Sequence, residues 1–193
     1  MRKRINSATI CLLFFAGLFV NKSFAQEFKQ GDNVIGVGFG LGSTYGYTYG
    51  TSSPALSAQY EHGQWTVGGP GTISLGGFLA YKSYSYDGAT YFYTYSQKWS
   101  YTIIGIRSAY HYNGFNGSKF DPYGGLMLSY DIASNSYTSS NHTYDYLYSG
   151  GYGSTFRFSL FLGGRYYFSQ NWAAYAELGF GNAVLTLGAA YKF

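Results

Sequence analysis

Three histidines, His62, His111 and His142, are the first candidates for chemistry in this chain of 193 residues. Grouped with Asp, Glu or each other they could hold a metal; beside a Ser and an acid they could carry acyl transfer. Their separation and the lack of further ligands at metal spacing argue against a metal site. His142 has Asp145 and several serines near it, in SNSYTSSNHTYDYLYSGGY. That stretch has the composition of a loop, a poor place to fix a catalytic constellation. The glycines, 28 of them, make no phosphate-binding motif. The second candidate set is ionic. The stretch FRFSLFLGGRYYF, 156–168, is almost wholly apolar, yet it holds Arg157 and Arg165 with no acid beside them in sequence. Something in the fold must position both charges.

Composition narrows what that fold can be. Aromatic residues make up 22% and charged residues only 10%, against about 25% charged in a soluble domain. The N-terminus, MRKRINSATICLLFFAGLFVNKSFAQ, has a basic start, an apolar run from Ala8 to Val20 and a small-x-small site at Ser23-Phe24-Ala25. It reads as a secretory signal peptide over 1–25, cleaved after Ala25, with one domain over 26–193. Cleavage removes Arg2, Lys3, Arg4 and Lys22 and no acid, so the 12 Lys/Arg fall to 8 and balance the 8 Asp/Glu. The basic pI therefore carries no nucleic-acid signal. The sole cysteine, Cys11, lies in the leader, which excludes disulfide and thiol chemistry afterwards.

Beyond the leader no apolar stretch reaches the length of a membrane-spanning helix, and the recurring pattern is period two. Eight segments show it: NVIGVGFGLG, PALSAQYEH, TISLGGFLAYK, YTIIGIRSAYHY, PYGGLMLSYD, the Phe156–Phe168 stretch, NWAAYAELGF and VLTLGAAYKF. One face of each is Ile, Val, Leu, Phe or Tyr; the other is largely Gly, Ala and Ser. Short turn-rich connections, 63–71, 113–119 and 169–171, alternate with mostly longer ones, 43–53, 83–97 and 132–151, before a brief Gly181-Asn182 turn. A lipid-exposed sheet has to close, because an open edge would leave backbone groups unpaired in hydrocarbon. The pattern predicts an all-β, eight-stranded antiparallel up-and-down transmembrane barrel with tight turns on one side and longer loops on the other.

The two faces answer for the arginines. Phe156, Phe158, Leu160, Leu162, Tyr166 and Phe168 are expected to meet lipid, and Arg157 and Arg165 to point inward. Glu61, Arg107, Glu177, Lys82 and Lys192 also fall on inner faces. An eight-stranded barrel has an interior just filled by side chains, so Glu61, Arg107, Arg157, Arg165 and Glu177 are expected to form one lumen network, in which Glu177, on the adjacent seventh segment, is the nearest inward acid to Arg157 and Arg165. A midplane arginine facing lipid would instead cost roughly 2–4 kcal/mol.

The last eight residues, Thr186-Leu187-Gly188-Ala189-Ala190-Tyr191-Lys192-Phe193, follow the pattern polar-x-Gly-x-x-aromatic-x-aromatic. This resembles the C-terminal β-signal of bacterial outer-membrane proteins, and DPYGGLMLSY at the fifth segment points the same way. Over its mature length the chain resembles the small OmpX-like outer-membrane β-barrels. The resemblance implies the bacterial outer membrane as location. It also implies membrane lipids and lipopolysaccharide as surroundings, with the barrel-assembly machinery and periplasmic chaperones as partners in biogenesis. Gly188, Tyr191 and Phe193 would carry the assembly signal. It does not fix a role, because the fold serves several. Some similar barrels modify lipid A with His, Ser and an acid; here only His142, with Asp145, is on the outer side.

The outer connections are built of Tyr, Ser, Thr, Gly and Asn. Tyr offers rigid amphipathic contact and the small residues adaptable hydrogen bonds. Tyr45, Tyr47, Tyr49, Tyr91, Tyr93 and Tyr95 are therefore candidates for a surface that binds a ligand, while Tyr84 and Tyr152 fit the interfacial aromatic girdle. The expected function is a non-enzymatic barrel with a plugged lumen and no cofactor or metal, with a structural or adhesion-like role through its Tyr-rich loops. A narrow conduit for small apolar molecules and an outer-leaflet lipid-modifying enzyme are the runners-up.

Overall fold

A computed structural model describes residues 28–42, 51–89, 91, 93–115, 119–140 and 153–193. The leader, Tyr45, Tyr47, Tyr49, His142, Asp145 and Tyr152 lie outside the described residues. The strands are β1 (Asn33–Leu41), β2 (Thr51–Ser52), β3 (Ala55–Val67), β4 (Gly71–Ala89), β5 (Thr94–Tyr112), β6 (Phe120–Ser139), β7 (Thr155–Tyr167), β8 (Trp172–Gly179) and β9 (Leu185–Lys192). β2 is a two-residue continuation of β3 along the same partner: Ser52 pairs with Tyr84 and Leu56 with Tyr81 of β4. Pro54, which has no N–H to give the ladder, stands in the gap. The remaining strands pair antiparallel with their neighbours in sequence, and β9 returns to pair with β1. The result is a closed eight-stranded antiparallel up-and-down barrel.

The strands are staggered. From Phe158 of β7 the register passes through Leu128, Ile106, Gly77, Tyr60, Ile35, Tyr191 and Trp172. It re-enters β7 at Phe168, whose N–H donates to the Trp172 carbonyl, ten residues along. Such a stagger tilts strands of a closed barrel away from its axis. It also decides which inner residues share a level, a property no single strand reveals.

Side chains sort by parity as the sequence leads one to expect. Ile35, Val37, Leu56, Leu79, Ile104, Ile106, Leu126, Leu128, Phe158, Leu160, Leu162 and Leu187 are all exposed on the outer wall. A belt of this size has no place in water on a monomer. Rings flank it: Tyr60, Tyr110, Tyr166, Trp172 and Phe193 at the short-turn end, and Tyr81, Tyr130 and Phe156 at the other. Inside, Tyr175 fits against glycines. A Cβ on Gly38 would stand 2.3 Å from its hydroxyl and one on Gly188 2.4 Å from its ring. Those glycines are therefore steric requirements of the packed lumen.

The strands run further than the expected connections allow. β3 continues through Gly63 to Val67, with a register shift between Gly63 and Trp65, leaving only 68–70 as a turn, where Gly69 has φ +99°. β4 and β5 extend well into 83–97, and β6 reaches Ser139. These three strands are 19, 19 and 20 residues long, against 8 in β8 and β9. A transmembrane strand needs about 9–11 residues, so the three continue as a sheet beyond the outer rim.

Candidate functional site

The lower lumen is filled by a layer of charge. Glu61 of β3 sits at its centre, almost fully buried. Its Oε1 lies 3.2 Å from Arg107 Nε, and its Oε2 meets Arg165 Nη2. Arg107 also donates to Glu177 Oε2 at 2.7 Å and to Gln59 Oε1 at 2.6 Å. The Tyr123 hydroxyl donates to Glu177 Oε2 at 3.2 Å. The guanidinium of Arg107 stacks 3.9 Å from the Phe161 ring centre, and that of Arg165 4.7 Å from that of Tyr123. The layer thus joins β3, β5, β6, β7 and β8 through their inner faces.

Glu61, Arg107, Arg165 and Glu177 therefore meet, but Arg157 does not join them. It lies at the outer mouth, where its Nε is 2.8 Å from Asp131 of β6, which also accepts from Ser129 Oγ at 3.0 Å. The single five-residue network is corrected to one deep layer and one pair at the rim. Eight residues separate the two arginines along one strand, about 26 Å at 3.3 Å per residue. Glu177 is likewise not the partner of Arg165; it stands opposite Gly163 and reaches Arg107 instead.

His111 and Asp121 complete the deep layer, and the sequence reading had placed neither in it. His111 Nδ1 is 2.8 Å from Asp121 Oδ1, and its Nε2 is 3.1 Å from Ser74 Oγ and 3.5 Å from Glu61 Oε2. Ser74, His111 and Asp121 thus have the connectivity of a Ser-His-Asp triad. The surroundings oppose that chemistry. All three are buried, with no room for a substrate. Ser74 Oγ donates to the Ala109 carbonyl, so it accepts from His111 rather than giving it a proton, the reverse of what a nucleophile needs. Three carboxylates (Glu61, Glu177, Asp121) stand against two guanidiniums (Arg107, Arg165) in this layer, with the His111 ring set between Asp121 and Glu61. The signal for these residues was parity: Asp121 shares its face with Tyr123, Met127 and Asp131, and His111 with Arg107.

Beneath the layer lies Phe28, fully buried, its ring centre 4.2 Å from that of His111. Asn113 Nδ2 donates to the Phe28 carbonyl at 2.9 Å. Gly31 and Gly63 exchange backbone bonds with this segment, Gly31 N to Gly63 O and Gly63 N to Asp32 O. A Cβ on Gly63 would stand 2.2 Å from the Lys29 carbonyl oxygen, so glycine is what lets residues 28–32 cross under the barrel. Lys192 reaches Asp32 at 3.5 Å, and Lys82 donates to the Gly42 carbonyl near the opposite rim.

The second feature is the sheet above the rim. On its inner face Tyr84 stands beside Trp99 and Asn135, Tyr86 beside Gln97 and Tyr137, and Gly88 beside Tyr95 and Ser139. Tyr95 stacks on Tyr137 with ring centres 5.8 Å apart, and Tyr84 meets Tyr101 edge-on at 6.0 Å. Tyr84 is therefore part of an inner aromatic cluster, a correction to its expected place in the lipid-facing girdle. Tyr91 at the hairpin tip is 95% exposed, while Tyr93 and Tyr95 are half-buried in mutual contact. On the outer face the register forms three polar rows: Ser83-Ser100-Ser134, Ser85-Lys98-Ser136 and Asp87-Ser96-Thr138. Gly188 and Tyr191 lie in β9, and Phe193 just beyond it bonds backbone to backbone with Asn33. Among the described residues no cluster of His, Cys, Asp and Glu could hold a metal.

A closed eight-stranded barrel with an apolar outer belt, a charged interior and three overlong strands is matched by known structures. OprG from Pseudomonas aeruginosa aligns with a TM-score of 0.57 and 14% identity, over 88% of this chain and 99% of its own. The fold is that of the small outer-membrane β-barrels. Ail, the attachment invasion locus protein of Yersinia pestis, in complex with the heparin analogue sucrose octasulfate, aligns at 0.53 with 14% identity, over 85% and 99%. The N-terminal barrel domain of OprF from Pseudomonas aeruginosa aligns at 0.51 with 16% identity, over 86% and 100%. No protein-family model and no curated protein matches the chain. The short-turn end of the barrel, with Phe28 beneath the charged layer, lies opposite the end where β4, β5 and β6 extend as a sheet.

Proposed function

We propose that this chain is an integral protein of the bacterial outer membrane, sealed through its lumen, that acts at the cell surface through the sheet raised by β4, β5 and β6. The observation that carries this reading is the contrast between the two ends. The periplasmic half is closed by the Glu61-Arg107-Arg165-Glu177 layer over Phe28, whereas β4, β5 and β6 run to 19 and 20 residues, beyond what spanning requires. Strand length invested outside the membrane supports a surface role, and a filled lumen supports a non-conducting, non-enzymatic one. Residues 1–25 act as the export leader. Gly188, Tyr191 and Phe193 serve recognition by the assembly machinery.

Tyr91, Tyr93 and Tyr95 at the tip, with Tyr45, Tyr47 and Tyr49 in the preceding outer connection, are the proposed contact residues for a surface ligand. Ail has been solved with a sulfated heparin analogue. The polar rows here carry Lys98 as their one cation against Asp87, which favours neutral hydrogen-bonding and aromatic contacts over capture of a polyanion. The test is a variant whose hairpin is cut back by joining Ser85 to Lys98 through a two-residue turn. Cells bearing it should keep the barrel in the outer membrane and lose adhesion to surfaces or to one another. Adhesion equal to that of the parent, or solute uptake by vesicles holding the parent protein, would overturn the proposal.

A further inference from the structure

The sheet raised by β4, β5 and β6 carries a group of phenol rings in mutual contact, and Tyr95 is its centre. The Tyr95 ring centre lies 5.8 Å from that of Tyr137, with the planes 20° apart. It lies 6.1 Å from that of Tyr86 and 6.3 Å from that of Tyr93. The register explains these contacts. Tyr95 stands opposite Gly88 on β4 and Ser139 on β6, so Tyr86 and Tyr137 are its diagonal neighbours on the same face. Gly88 leaves the ring its place, since a Cβ there would stand 2.4 Å from it. What such a group does depends on what else could react. Cysteine and methionine are the usual first targets of oxidants. From residue 26 onward the chain has no cysteine, and its one methionine, Met127, is buried in the lumen. On the raised sheet an oxidant therefore meets phenols and a single half-buried indole, Trp99.

We propose that Tyr95 and Tyr137 are a site of oxidative cross-linking, which joins β5 to β6 covalently as a dityrosine. One-electron oxidation takes an electron and a proton from each phenol. The two phenoxyl radicals couple through ring carbons ortho to the oxygens, forming one carbon–carbon bond. The hydrogens on those two carbons then move to the oxygens and restore both phenols. The pair loses two hydrogen atoms in all. One hydrogen peroxide, turned over by a haem peroxidase, takes them up and leaves as two waters. Of the three pairs around Tyr95, this one is the closest and the most nearly parallel, so its ring edges meet by sliding rather than turning. The bond would tie together two strands where they stand clear of the lipid belt, the part of the sheet that the membrane does not hold. The inference rests on the reading that this sheet lies outside the outer membrane, and it adds a modification to it.

The test treats the refolded protein in detergent with a haem peroxidase and hydrogen peroxide. Dityrosine fluorescence and mass spectrometry of the digested protein read the product. A monomeric species lighter by two hydrogen atoms should appear, with the peptides of Tyr95 and Tyr137 joined. Tyr95→Phe and Tyr137→Phe, which keep the rings and their packing, should each lose that species. Tyr91→Phe, at the 95% exposed tip, should keep it at the parent's yield. Intramolecular dityrosine at the parent's yield in Tyr137→Phe, oxygen added to Trp99 in place of coupling, or coupling only between copies would overturn the assignment. The same treatment of intact cells, whose outer membrane the peroxidase does not cross, tests the placement of the sheet separately. A link that forms in the refolded protein and not on cells would count against the outward placement and leave the Tyr95–Tyr137 site standing.

Discussion

Replacing Glu61 by Gln is the perturbation that most directly probes the sealed lumen. The carboxylate is the shared acceptor of the deep layer: Oε1 faces Arg107 Nε at 3.2 Å, and Oε2 takes Arg165 Nη2 and faces His111 Nε2 at 3.5 Å. Gln keeps the shape and removes the charge. Arg107 retains Glu177 and Gln59, but the nearest other acid to Arg165 is Asp121, at 3.6 Å from Nη1. A buried charge left without its partner costs about 3–5 kcal/mol. Glu177→Gln should cost less, about 1–3 kcal/mol, since Arg107 still holds Glu61 and the Glu177 side chain is 13% exposed. With a denaturant slope of about 2 kcal/mol per molar urea, Glu61→Gln should lower the unfolding midpoint by about 2 M and Glu177→Gln by clearly less. Reversible urea titration of the refolded barrel in lipid vesicles, followed by tryptophan fluorescence, reads both. An unchanged midpoint for Glu61→Gln, or a larger loss for Glu177→Gln, would refute the assignment of Glu61 as the hub.

Cell fractionation should place the protein in the outer membrane, starting at Gln26, with migration on gels that changes on heating; recovery from the soluble periplasm would contradict it. Phe193→Ala should lower assembly in cells while leaving refolding in detergent near normal, because the ring is exposed and the backbone bonds to Asn33 persist. Gly188→Val should impair both, as its side chain would collide with Tyr175 and the Val37 carbonyl. In the chain with Cys11→Ala, a cysteine at Phe158 should react with a lipid-soluble reagent, and one at Arg157 with a water-soluble one; the opposite preference would invert the wall.

Inside the membrane, period two was enough to read the fold. Gly, Ala and Ser opposite Leu, Ile and Phe named the inner and outer faces of most of the strands, though not of β8, where Tyr175 points inward and Ala174 and Ala176 outward; the same parity also held Asp121 and His111 on the inner face. What no strand carries by itself is the stagger between strands. Arg165 meets Glu61 across more than a hundred residues of sequence because the ring offsets its strands by ten residues in one circuit. A reading confined to adjacent segments therefore gave Arg165 the nearest acid next door, Glu177, when it needed one from the far wall. The split between Arg157 and Arg165 was accessible from strand rise and tilt, since about 26 Å along a strand tilted by about 40° still climbs about 20 Å, most of the apolar height of such a barrel, about 25 Å.

The extended sheet escaped for a different reason, and the reason marks the membrane surface. On β4 the apolar positions are odd as far as Tyr81 and then even, at Tyr84 and Tyr86; on β6 they are even as far as Ile132 and then odd, at Tyr137. On β5 the outward Ile104 and Ile106 give way to the inward Tyr101 and Trp99. Backbone pairing continues unbroken across each change. A slip of one in hydrophobic phase ordinarily signals the end of a strand, because it would turn a buried face outward. Here the strand does not end; its solvent does. Below the slip the outer face meets hydrocarbon and must be apolar. Above it the outer face meets polar surroundings, and the rings turn inward to pack on one another. The rows Tyr81-Thr102-Ile132 and Ser83-Ser100-Ser134 therefore bracket the upper edge of the hydrocarbon, and the loop-like composition of 83–89, 94–97 and 132–139 is that of strands written for the other side of that edge.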